Sequence, residues 1–515
     1  MQLLATPEQM RGIDRAAIDE FGIAGLVLME NAGRAFVDIL DSHRPLKPGT
    51  RVVIIAGRGN NGGDGYVIGR HLLNRGCRVD ILVMPGEASG DALANRDILQ
   101  RISADRLRLL PVKSMQDVGS IVPPEVIVDA MFGTGFSGKL TGLAEDLATW
   151  ANLSGAFLAS VDIPSGVNAE SGRVEGTAFN AHLTVPMGLA KPGHFLGQGR
   201  LHSGEVVVAD IGIPRSAMNV RENPLYRISP GDVRGLLPGR RWNANKYDVG
   251  KVLVVAGSRA FTGAAVLSAD AALMGGAGAV ILAAPQSLHP ILASKLTEVI
   301  IRRLPETADG TIAASAIPEI RSLLDWADAI VLGPGLGRNA ETDGLVRTLV
   351  RETKVPLVLD ADGLNAFAGH AAELQQQGGA RVLTPHTGEL GRLTTQSSKA
   401  IEEDRVGAGR AAAKAFGATV VLKGAPTATA SPDGRVVLNS TGNSGMATIG
   451  AGDVLTGLIA TLVAQGVNAT DSAMAGAYIH GLAGDIVRDR IGERALRARD
   501  ILHALADAFI HLEKQ

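Results

Sequence analysis

The sequence is poor in cysteine, in aromatic residues and in net charge, and each shortage excludes a class of protein. The single cysteine, Cys77, excludes an internal disulfide framework and is typical of a reducing compartment. Aromatic residues make up only 3% of the chain, whereas 64 residues are glycine, which favours an α/β protein whose helices pack closely on buried parallel strands. The formal net charge of -2 gives no field that would attract nucleic acid or an anionic membrane, so we expect neither partner.

Long apolar runs are also missing. The most apolar tract, at residues 263–284, is interrupted by Asp270 and by glycines at 275, 276 and 278, so it is a poor membrane span. The opening residues MQLLATPEQM lack the basic and apolar segments of a secretory signal, and we expect a cytoplasmic protein. At 515 residues the chain is too long for one core and predicts two domains of roughly 200 to 290 residues.

The most informative stretch is NSTGNSGMATIGAGDVLTG at residues 439–457. A short apolar run precedes it, and its GAGD segment opens a longer apolar run, which predicts a strand, a glycine loop and the start of a helix. Such a helix start binds anions, because its first N–H groups are unpaired and its dipole attracts negative charge. Asp453 would be repelled by a bound phosphate unless it takes a proton from a hydroxyl group that attacks that phosphate. The alternative is that Asp453 only caps the helix.

The first half alternates predicted strands and helices. Thr6-Pro7-Glu8-Gln9 combines an N-cap, a first-turn proline and a capping-box glutamine, which predicts a helix start. Strands are predicted at residues 51–56, 78–83, 125–131 and 157–161, and a helix at 66–74. Because such units bind ligands at the carboxyl ends of their strands, the polar clusters that follow three of these strands predict a ligand site.

Two glycine-rich clusters in this half allow more than one interpretation. GRGNNGGDG at 57–65 is predicted to be a glycine loop between the strand at 51–56 and the helix at 66–74. It contains the pattern GxGxxG, with Asp80 near the distance expected for a ribose-binding acid. This pattern fits a dinucleotide oxidoreductase, and a tight turn without a ligand is the alternative. GTGFSGKL at 133–140 nearly matches the phosphate loop of NTPases, but Leu140 lacks the hydroxyl group that Mg²⁺ requires. Lys139 and the glycine amides are still suited to holding a phosphate of a dinucleotide.

Oxygen-bearing side chains follow three of the predicted strands. Asn61, Asp129 and Ser165 offer only hard oxygen donors, which fit either a monovalent cation or ordinary polar packing. Asp162 lies in an Asp-Ile-Pro-Ser-Gly turn that fixes its direction. It is the candidate for proton transfer in this half, and a structural turn residue is the alternative.

The second half repeats the arrangement of a strand followed by a polar or glycine-rich turn. Ala264 opens a helix of small residues, where it either admits a ligand closely or packs on the sheet. Lys423 is either a phosphate ligand or a solvated turn residue. Strands are predicted at 246–256, 329–332, 357–359, 381–383 and 419–422. The other clusters at their ends are GPGLG at 333–337, Asp360 with Asp362, His386 with Glu389, and KGAPT at 423–427.

These motifs resemble known families. GAGD followed by an apolar helix is similar to the anion hole and catalytic aspartate of the ribokinase-like superfamily, and the string TGNSGMATIGAGDVLTG resembles its NAD(P)HX dehydratase branch. MENAG at 29–33 and NNGGDG at 60–65 resemble the NAD(P)HX epimerases, in the order found in fused prokaryotic repair enzymes. The resemblance implies two doubly wound α/β domains. These are a Rossmann-like three-layer sandwich with epimerase activity at 1–215, a linker at 216–225, and a ribokinase-like dehydratase domain at 226–515.

The resemblance also implies roles for individual residues. Asp453 and Asp162 would be catalytic and would contact the substrate. Asn61, Asp129 and Ser165 would bind K⁺, and Glu389 would contact Mg²⁺. The nucleotide would lie against Lys423, Gly424, Ala425, Pro426, Thr427, Gly450, Ala451 and Gly452. The other implied substrate ligands are Asn60, Asn61, Gly62, Gly63, Asp64, Gly133, Thr134, Gly135, Phe136, Ser137, Gly138, Lys139, Ala264, Gly335, Gly337 and His386.

The implied substrates are NADHX and NADPHX, which carry a hydroxyl group at C6 of the ring, together with ADP. Phosphorylation of that hydroxyl group would allow the ring nitrogen to expel it, which explains a dehydration on a kinase-type fold. His386 replaces the asparagine that ribokinase-like kinases often carry, which argues against a plain sugar kinase. Nothing in the residues excludes ATP, and a homo-oligomer is left open. Three alternatives remain: a vitamin or sugar kinase, an NAD-linked oxidoreductase, and a non-catalytic amino-terminal half.

Overall fold

A computed structural model describes residues 1–102, 104–220, 222–375 and 378–514. The chain divides into two compact units, one comprising Leu3–Glu222 and the other comprising Asn223–Gln515 with Met1–Gln2. The linker at 216–225 and the assignment of one activity to each side of it remain predictions. Among the described helices, none combines the length and the apolar character needed to cross a bilayer.

The N-terminal unit is built on a seven-stranded sheet whose neighbouring strands run parallel. Its central strand, Arg51–Ala56, pairs with Arg78–Val83 on one side and with Val126–Ala130 on the other. The strand order reverses at this point, and such switch points are where doubly wound sheets bind ligands. In sheet order the strands are Leu107–Pro111, Arg78–Val83, Arg51–Ala56, Val126–Ala130, Phe157–Val161, Leu183–Val185 and Glu205–Val206.

Helices cover both faces of this sheet. Along the strand Arg51–Ala56, Val52 and Ile54 pack in one core with the helices that begin at Gly25 and Asn60. Val53 packs in a second core with the helix Leu143–Leu153. This alternation is what a strand buried on both faces requires. The helices of the unit are Pro7–Asp19, Gly25–His43, Asn60–Asn74, Gly90–Gln100, Leu143–Leu153 and Gly199–His202.

The helix predicted at 66–74 begins earlier, at Asn60, inside the segment interpreted as a glycine loop. That interpretation was wrong, because the glycines serve close packing of the first helical turns. A Cβ atom on Gly62 would lie 1.9 Å from the Gly57 carbonyl oxygen, and one on Gly63 would lie 2.7 Å from Met29 Sδ. Only residues without a side chain allow this helix start to approach the strand end so closely.

The C-terminal unit has a second, larger sheet that is mostly parallel. The strand order reverses at Lys251–Val255, the third strand from one edge, which pairs in parallel with Ala279–Pro285 and with Ala329–Leu332. Ala428–Ala430 is antiparallel to both of its neighbours. In sheet order the strands of this unit are Leu225–Arg227, Val436–Leu438, Ala428–Ala430, Thr419–Leu422, Arg381–Leu383, Leu357–Leu359, Ala329–Leu332, Lys251–Val255, Ala279–Pro285 and Ile300–Leu304.

One helix, Ala451–Ala464, lies at the centre of this unit. Ile459 faces a core shared with the sheet, whereas Leu458 faces a second core shared with the helices Ala469–Ile491 and Ala498–Lys514. A helix that is apolar on all sides is expected in such a buried position. The other helices are Pro230–Leu236, Thr262–Met274, His289–Ala293, Ile317–Leu324, Ala340–Glu352, Asp362–Asn365, Thr387–Thr394, Ser398–Glu403 and Arg405–Phe416.

Most of the predicted elements are confirmed. Thr6 caps the first helix, and Gln9 completes the capping box. Strands predicted from continuous apolar runs keep their predicted bounds at Arg51–Ala56 and Phe157–Val161, whereas the strand predicted at 246–256 is shorter, at Lys251–Val255. The predicted α/β fold class with two doubly wound sheets is therefore confirmed.

Candidate active sites

The N-terminal unit contains a cavity of about 720 Å³ at the switch point of its sheet. Most of the substrate ligands implied for this unit line it. The implied ligands Gly62, Gly63, Gly138 and Lys139 do not line it. Lys139 packs across Gly176, where an added Cβ atom would lie 3.0 Å from Lys139 Cγ. The implied residues that do line the cavity are Asn60, Asn61, Asp64, Gly133, Thr134, Gly135, Phe136, Ser137 and Asp162.

Asp162 is held at this cavity through its backbone and its side chain. Its φ of 65° lies in the left-handed region that residues other than glycine rarely adopt. The Asp162 N–H donates to the Val185 carbonyl oxygen at 2.9 Å, and the Asp162 carbonyl oxygen accepts from His194 Nε2 at 2.8 Å. Its carboxylate lines the cavity and forms a buried ion pair with Lys191. Asp162 is therefore a strained turn residue whose carboxylate faces the cavity, and its role in proton transfer remains a prediction.

The turn that supplies Lys191 also contains His194. Because His194 Nδ1 accepts from the Lys191 N–H at 2.9 Å, the imidazole proton lies on Nε2, which donates to the Asp162 carbonyl oxygen. Burial, and then the neighbouring Lys191 ammonium group, lower the pKa of His194 to about 4. His194 is therefore neutral near pH 7 and orients this turn. Sequence analysis missed the pairing of Lys191 with Asp162, because no local spacing encodes it.

The structure brings two of the three residues implied for K⁺ into direct contact. Asp129 is fully buried and forms no ion pair among the described residues. Its carboxylate accepts four hydrogen bonds, from Met131 N, Ser160 Oγ, and both Ser165 N and Ser165 Oγ. The buried Asn61 Nδ2 has no hydrogen-bond partner, and Asn61 lies beside Gly133. The carboxylate of Asp129 and the hydroxyl group of Ser165 carry the hard oxygen atoms that a monovalent cation accepts, and the K⁺ contact of these residues remains a prediction.

In the C-terminal unit, Asp453 lies in the first turn of the helix Ala451–Ala464. The helix is capped by Gly450, whose φ of 93° is left-handed, and the cap involves no side-chain hydrogen bond. The interpretation of Asp453 as a helix cap is therefore wrong. Its side chain is partly exposed and forms no ion pair among the described residues. Burial, and then the neighbouring Asp360 carboxylate, raise the pKa of Asp453 to about 7, which is suited to a general base near neutral pH.

Lys423 lies among several carboxylates beside this helix start. Its Nζ donates to Asp360 Oδ1 at 2.7 Å and lies 3.7 Å from Glu389 Oε2. Although burial opposes the charged form, these two carboxylates raise the pKa of Lys423, so the ammonium form is favoured. A Cβ atom on Gly452 would lie 3.3 Å from Lys423 Nζ. Lys423 therefore faces the glycine loop, as a phosphate ligand would, and is not a solvated turn residue.

His386 and Glu389 form a capping box at the start of the helix Thr387–Thr394. His386 Nδ1 accepts from the N–H groups of Gly388 and Glu389 at 3.0 and 3.3 Å, and Glu389 Oε2 accepts from His386 N at 2.8 Å. The His386 side chain is half exposed, and its Nε2 lies 3.5 Å from Glu389 Oε1. Within the described ranges, no group of three His, Cys, Asp or Glu side chains is arranged to hold a metal ion. The Mg²⁺ contact of Glu389 remains a prediction.

The remaining implied ligands lie on two turns. In the first turn, a Cβ atom on Gly335 would lie 2.9 Å from Ala264 Cβ, and Gly337 N donates to Asp362 Oδ2 at 2.9 Å. Ala264 thus packs against the glycine turn. In the second turn, Thr427 Oγ1 donates to the Gly424 carbonyl oxygen at 3.1 Å and closes the KGAPT segment on itself.

The long helix Ala469–Ile491 holds the glycine loop that precedes Asp453. Asp485 accepts from Gly442 N at 2.8 Å and from Asn443 Nδ2 at 3.0 Å, so one carboxylate fixes two consecutive loop residues. Thr441 Oγ1 donates to the Tyr478 carbonyl oxygen at 2.8 Å. Sequence analysis missed this support, because Asp485 carries no motif of its own.

The raised pKa of Asp453 gives a prediction about stability. Since its pKa rises from 3.8 to about 7 on folding, the folded state holds its proton more tightly, and wild-type stability falls as pH rises from about 4 to 7. Asp453→Asn removes the titrating group, and with it this loss of stability at higher pH. We expect the variant's gain in unfolding free energy to grow between pH 4 and 7 and to stay constant above, as measured by urea denaturation. If the difference in unfolding free energy between the variant and the wild type does not change with pH, the raised pKa of Asp453 is contradicted.

These observations define a class of protein. The fold and the candidate sites describe a two-unit α/β protein in which one unit has a glycine-capped helix start with a carboxyl group of raised pKa and the other unit has an acid-lined cavity. A bifunctional NAD(P)H-hydrate repair enzyme of Moorella thermoacetica is 40% identical over 516 residues, covering 99% of this chain and 97% of the relative. The chain belongs to the family of bifunctional NAD(P)H-hydrate repair enzymes, which confirms the family predicted from its motifs.

Two further relatives and two family models agree with this family. Enzymes of the same description from Salinibacter ruber and Leishmania braziliensis are 39% and 32% identical, each covering 96% of this chain and, respectively, 94% and 91% of the relative. The family model described as NAD(P)H-hydrate dehydratase matches residues 252–506, and the model described as YjeF-related protein N-terminus matches residues 25–193. A solved structure of ADP/ATP-dependent NAD(P)H-hydrate dehydratase from Bacillus subtilis, co-crystallised with ATP and Mg²⁺, covers 56% of this chain and 98% of its own, at 26% identity and a TM-score of 0.49.

Proposed function

We propose that the protein repairs hydrated NADH and NADPH in two steps. The N-terminal unit interconverts the R and S epimers of the hydrate, and the C-terminal unit dehydrates the S epimer with ADP, giving AMP and phosphate. The single observation that carries this proposal is the position of Asp453, a carboxyl group with a pKa of about 7 at a glycine-capped helix start. Family membership supports the choice of substrate.

In the proposed dehydration, Asp453 takes the proton of the C6 hydroxyl group as its oxygen attacks the terminal phosphorus of ADP. The backbone amides of Gly450 and Gly452 stabilise the charge on the transferring group, whereas the Ala451 N–H donates to the Thr448 carbonyl oxygen at 3.3 Å. Lys423, which faces this loop, adds a positive charge. The ring nitrogen then expels the phosphorylated oxygen as phosphate, and the loss of the C5 proton restores the dihydropyridine.

A Mg²⁺ ion bound with the nucleotide would screen the charge of its phosphates. In proteins this ion usually takes one or two carboxylates together with substrate phosphates, so a single carboxylate such as Glu389 fits this use. Glu389 and Asp360 lie beside Lys423, where the carboxylates outnumber the ammonium group. This surplus of negative charge supports cation binding when the nucleotide is present.

The test is to supply each purified epimer to the full chain with ADP and Mg²⁺ and to follow the return of dihydronicotinamide absorbance. We expect the S epimer to recover at once and the R epimer to recover more slowly, through epimerisation. A stable phosphorylated product, seen by phosphorus NMR, would indicate a vitamin or sugar kinase. Oxidation or reduction of a second substrate without any nucleoside diphosphate would indicate an oxidoreductase. Parallel reactions with ATP decide the phosphate donor.

We also propose that Asn61, Asp129 and Ser165 bind K⁺. If they do, K⁺ at about 10 to 100 times its Kd should stabilise the N-terminal unit by about 1 to 3 kcal/mol. The measurement is the thermal midpoint of that unit in K⁺ against tetramethylammonium buffer. Asp129→Asn should lose this response, whereas the exposed Asp146→Asn should keep it. A midpoint that does not respond to K⁺ would contradict the assignment.

A further inference from the structure

In the cavity of the N-terminal unit, the carboxyl groups around Lys191 outnumber the cationic groups. Asp14, Asp64 and Asp162 line it together with Lys191. Lys191 is bonded to Asp162 and lies 3.5 Å from the Met187 carbonyl oxygen. Asp14 and Asp64 form no ion pair and no side-chain hydrogen bond in the part of the chain that the structure describes. Two acids of this cavity therefore face it without a partner.

Asp64 is the more confined of these two acids. It lies near the start of the helix Asn60–Asn74, whose glycine packing fixes it against the sheet. Burial, and then the neighbouring Asp162 carboxylate, raise the pKa of Asp64 well above its ordinary value, and burial likewise raises the pKa of Asp14. Because an ionised carboxylate without a partner is unfavourable in a partly buried position, the protonated form of Asp64 is favoured.

Asp162 has the opposite environment. It lies against the buried ammonium group of Lys191, which stabilises a negative charge. His194 is neutral and uses both ring nitrogens on backbone groups, so it is not the proton donor. Two carboxyl groups in one cavity, one paired with a buried lysine and one without a partner among the described residues, form an arrangement that can separate a base from an acid.

We propose that Asp64 is the catalytic acid and Asp162 the catalytic base of the epimerisation. This inference rests on the proposed function. Asp162 takes the proton of the C6 hydroxyl group, the C6–O bond becomes a carbonyl, and the C6–N1 bond breaks with its electron pair moving to N1. Asp64 gives its proton to N1. Rotation about the C5–C6 bond then presents the other carbonyl face, and the same steps in reverse close the ring as the other epimer.

A second observation indicates that this part of the cavity binds a polar ligand. Asn61 is 8% exposed and lines the same cavity, and its Nδ2 has no partner. An orphaned buried amide is explained when a ligand or an ion occupies the space that it faces. The other charged residues on the cavity wall are Arg11, Arg58 and Asp91.

The test uses the full chain and the purified R epimer with ADP and Mg²⁺, because only epimerised substrate is dehydrated. In Asp64→Asn we expect kcat for the R epimer to fall about 100-fold or more, while the S epimer is dehydrated at the wild-type rate. The exposed Asp19→Asn serves as a matched control on the same unit. In the wild type, R-epimer conversion should decline at higher pH as Asp64 loses its proton, and the residual activity of Asp64→Asn should lack this decline.

The outcomes separate the inference from the function on which it rests. If the wild type fails to convert the R epimer, the proposed function is wrong. If Asp64→Asn keeps conversion within about threefold, or changes only KM, Asp64 is not the acid. Asp64→Glu, which keeps the proton donor, should retain part of kcat together with the decline at higher pH, and it decides the question if the asparagine variant does not fold. A glutamate variant as inactive as the asparagine variant, in a folded protein, also overturns the proposal.

Discussion

Asp453→Asn is expected to abolish recovery of NADH from the S hydrate, lowering kcat by about 1,000-fold or more while epimer exchange continues. The general base alone contributes about 100- to 10,000-fold in such reactions. The variant keeps the size of the side chain, but it cannot accept the proton of the C6 hydroxyl group. The measurement is the initial rate of dihydronicotinamide absorbance with ADP and Mg²⁺.

The matched control for this variant is Asp471→Asn. Asp471 also lies in the first turn of a helix, where it accepts from Asn468 Nδ2 at 2.6 Å. If acidic residues at helix starts act only on the helix dipole, both variants should behave alike and change stability by less than about 1 kcal/mol. We expect only Asp453→Asn to lose activity. Because the base must be ionised, wild-type kcat should rise through pH 7, and a rate independent of pH there would contradict this role.

Lys191→Met is expected to lower the unfolding free energy of the N-terminal unit by about 3 to 5 kcal/mol, because it leaves the Asp162 carboxylate without its buried partner. The Lys191 side chain is only 1% exposed and that of Asp162 is 12% exposed, so water replaces the lost partner poorly. Denaturant unfolding of the full chain, with tryptophan or circular dichroism signals, measures the effect on the first unit.

A surface ion pair provides the contrast. Arg75 pairs with Asp38 and Asp41, its side chain is 32% exposed, and Arg75→Met should cost about 1 kcal/mol or less. Adding Asp162→Asn to Lys191→Met should restore part of the lost stability, since no unpaired charge is then buried. Equal costs for Lys191→Met and Arg75→Met would show that the buried pair does not stabilise the fold.

The sequence predicted the strands better than the glycine-rich segments. In an α/β protein, a short continuous apolar run such as Arg51–Ala56 is favoured as a strand that is buried on both faces. NNGGDG was expected to be a loop, because glycine disfavours helices in isolation. In the folded chain, tertiary packing against Met29 and the strand end outweighs that preference. The contacts that decide this outcome come from distant parts of the chain.

The same limit applies to the sites. Local motifs located Asp162 and Asp453, because turns and helix starts have short patterns. Their partners lie far along the chain: Lys191 is 29 residues from Asp162, and Lys423 is 63 residues from Asp360. No periodicity carries information across such separations. The protonation state of Asp453 could not be predicted from the sequence either, because its pKa depends on burial and on neighbours that come together only in the folded chain.

The hydrogen bonds between Asp485 and the glycine loop connect ligand binding to the stability of the C-terminal unit. Because one carboxylate anchors both Gly442 and Asn443 to the helix Ala469–Ile491, ordering of the loop and ordering of that helix are thermodynamically linked. A nucleotide that rigidifies the loop therefore suppresses opening fluctuations of a helix that contributes to the core of the C-terminal unit. We therefore expect a bound nucleotide to make the C-terminal unit more resistant to proteolysis.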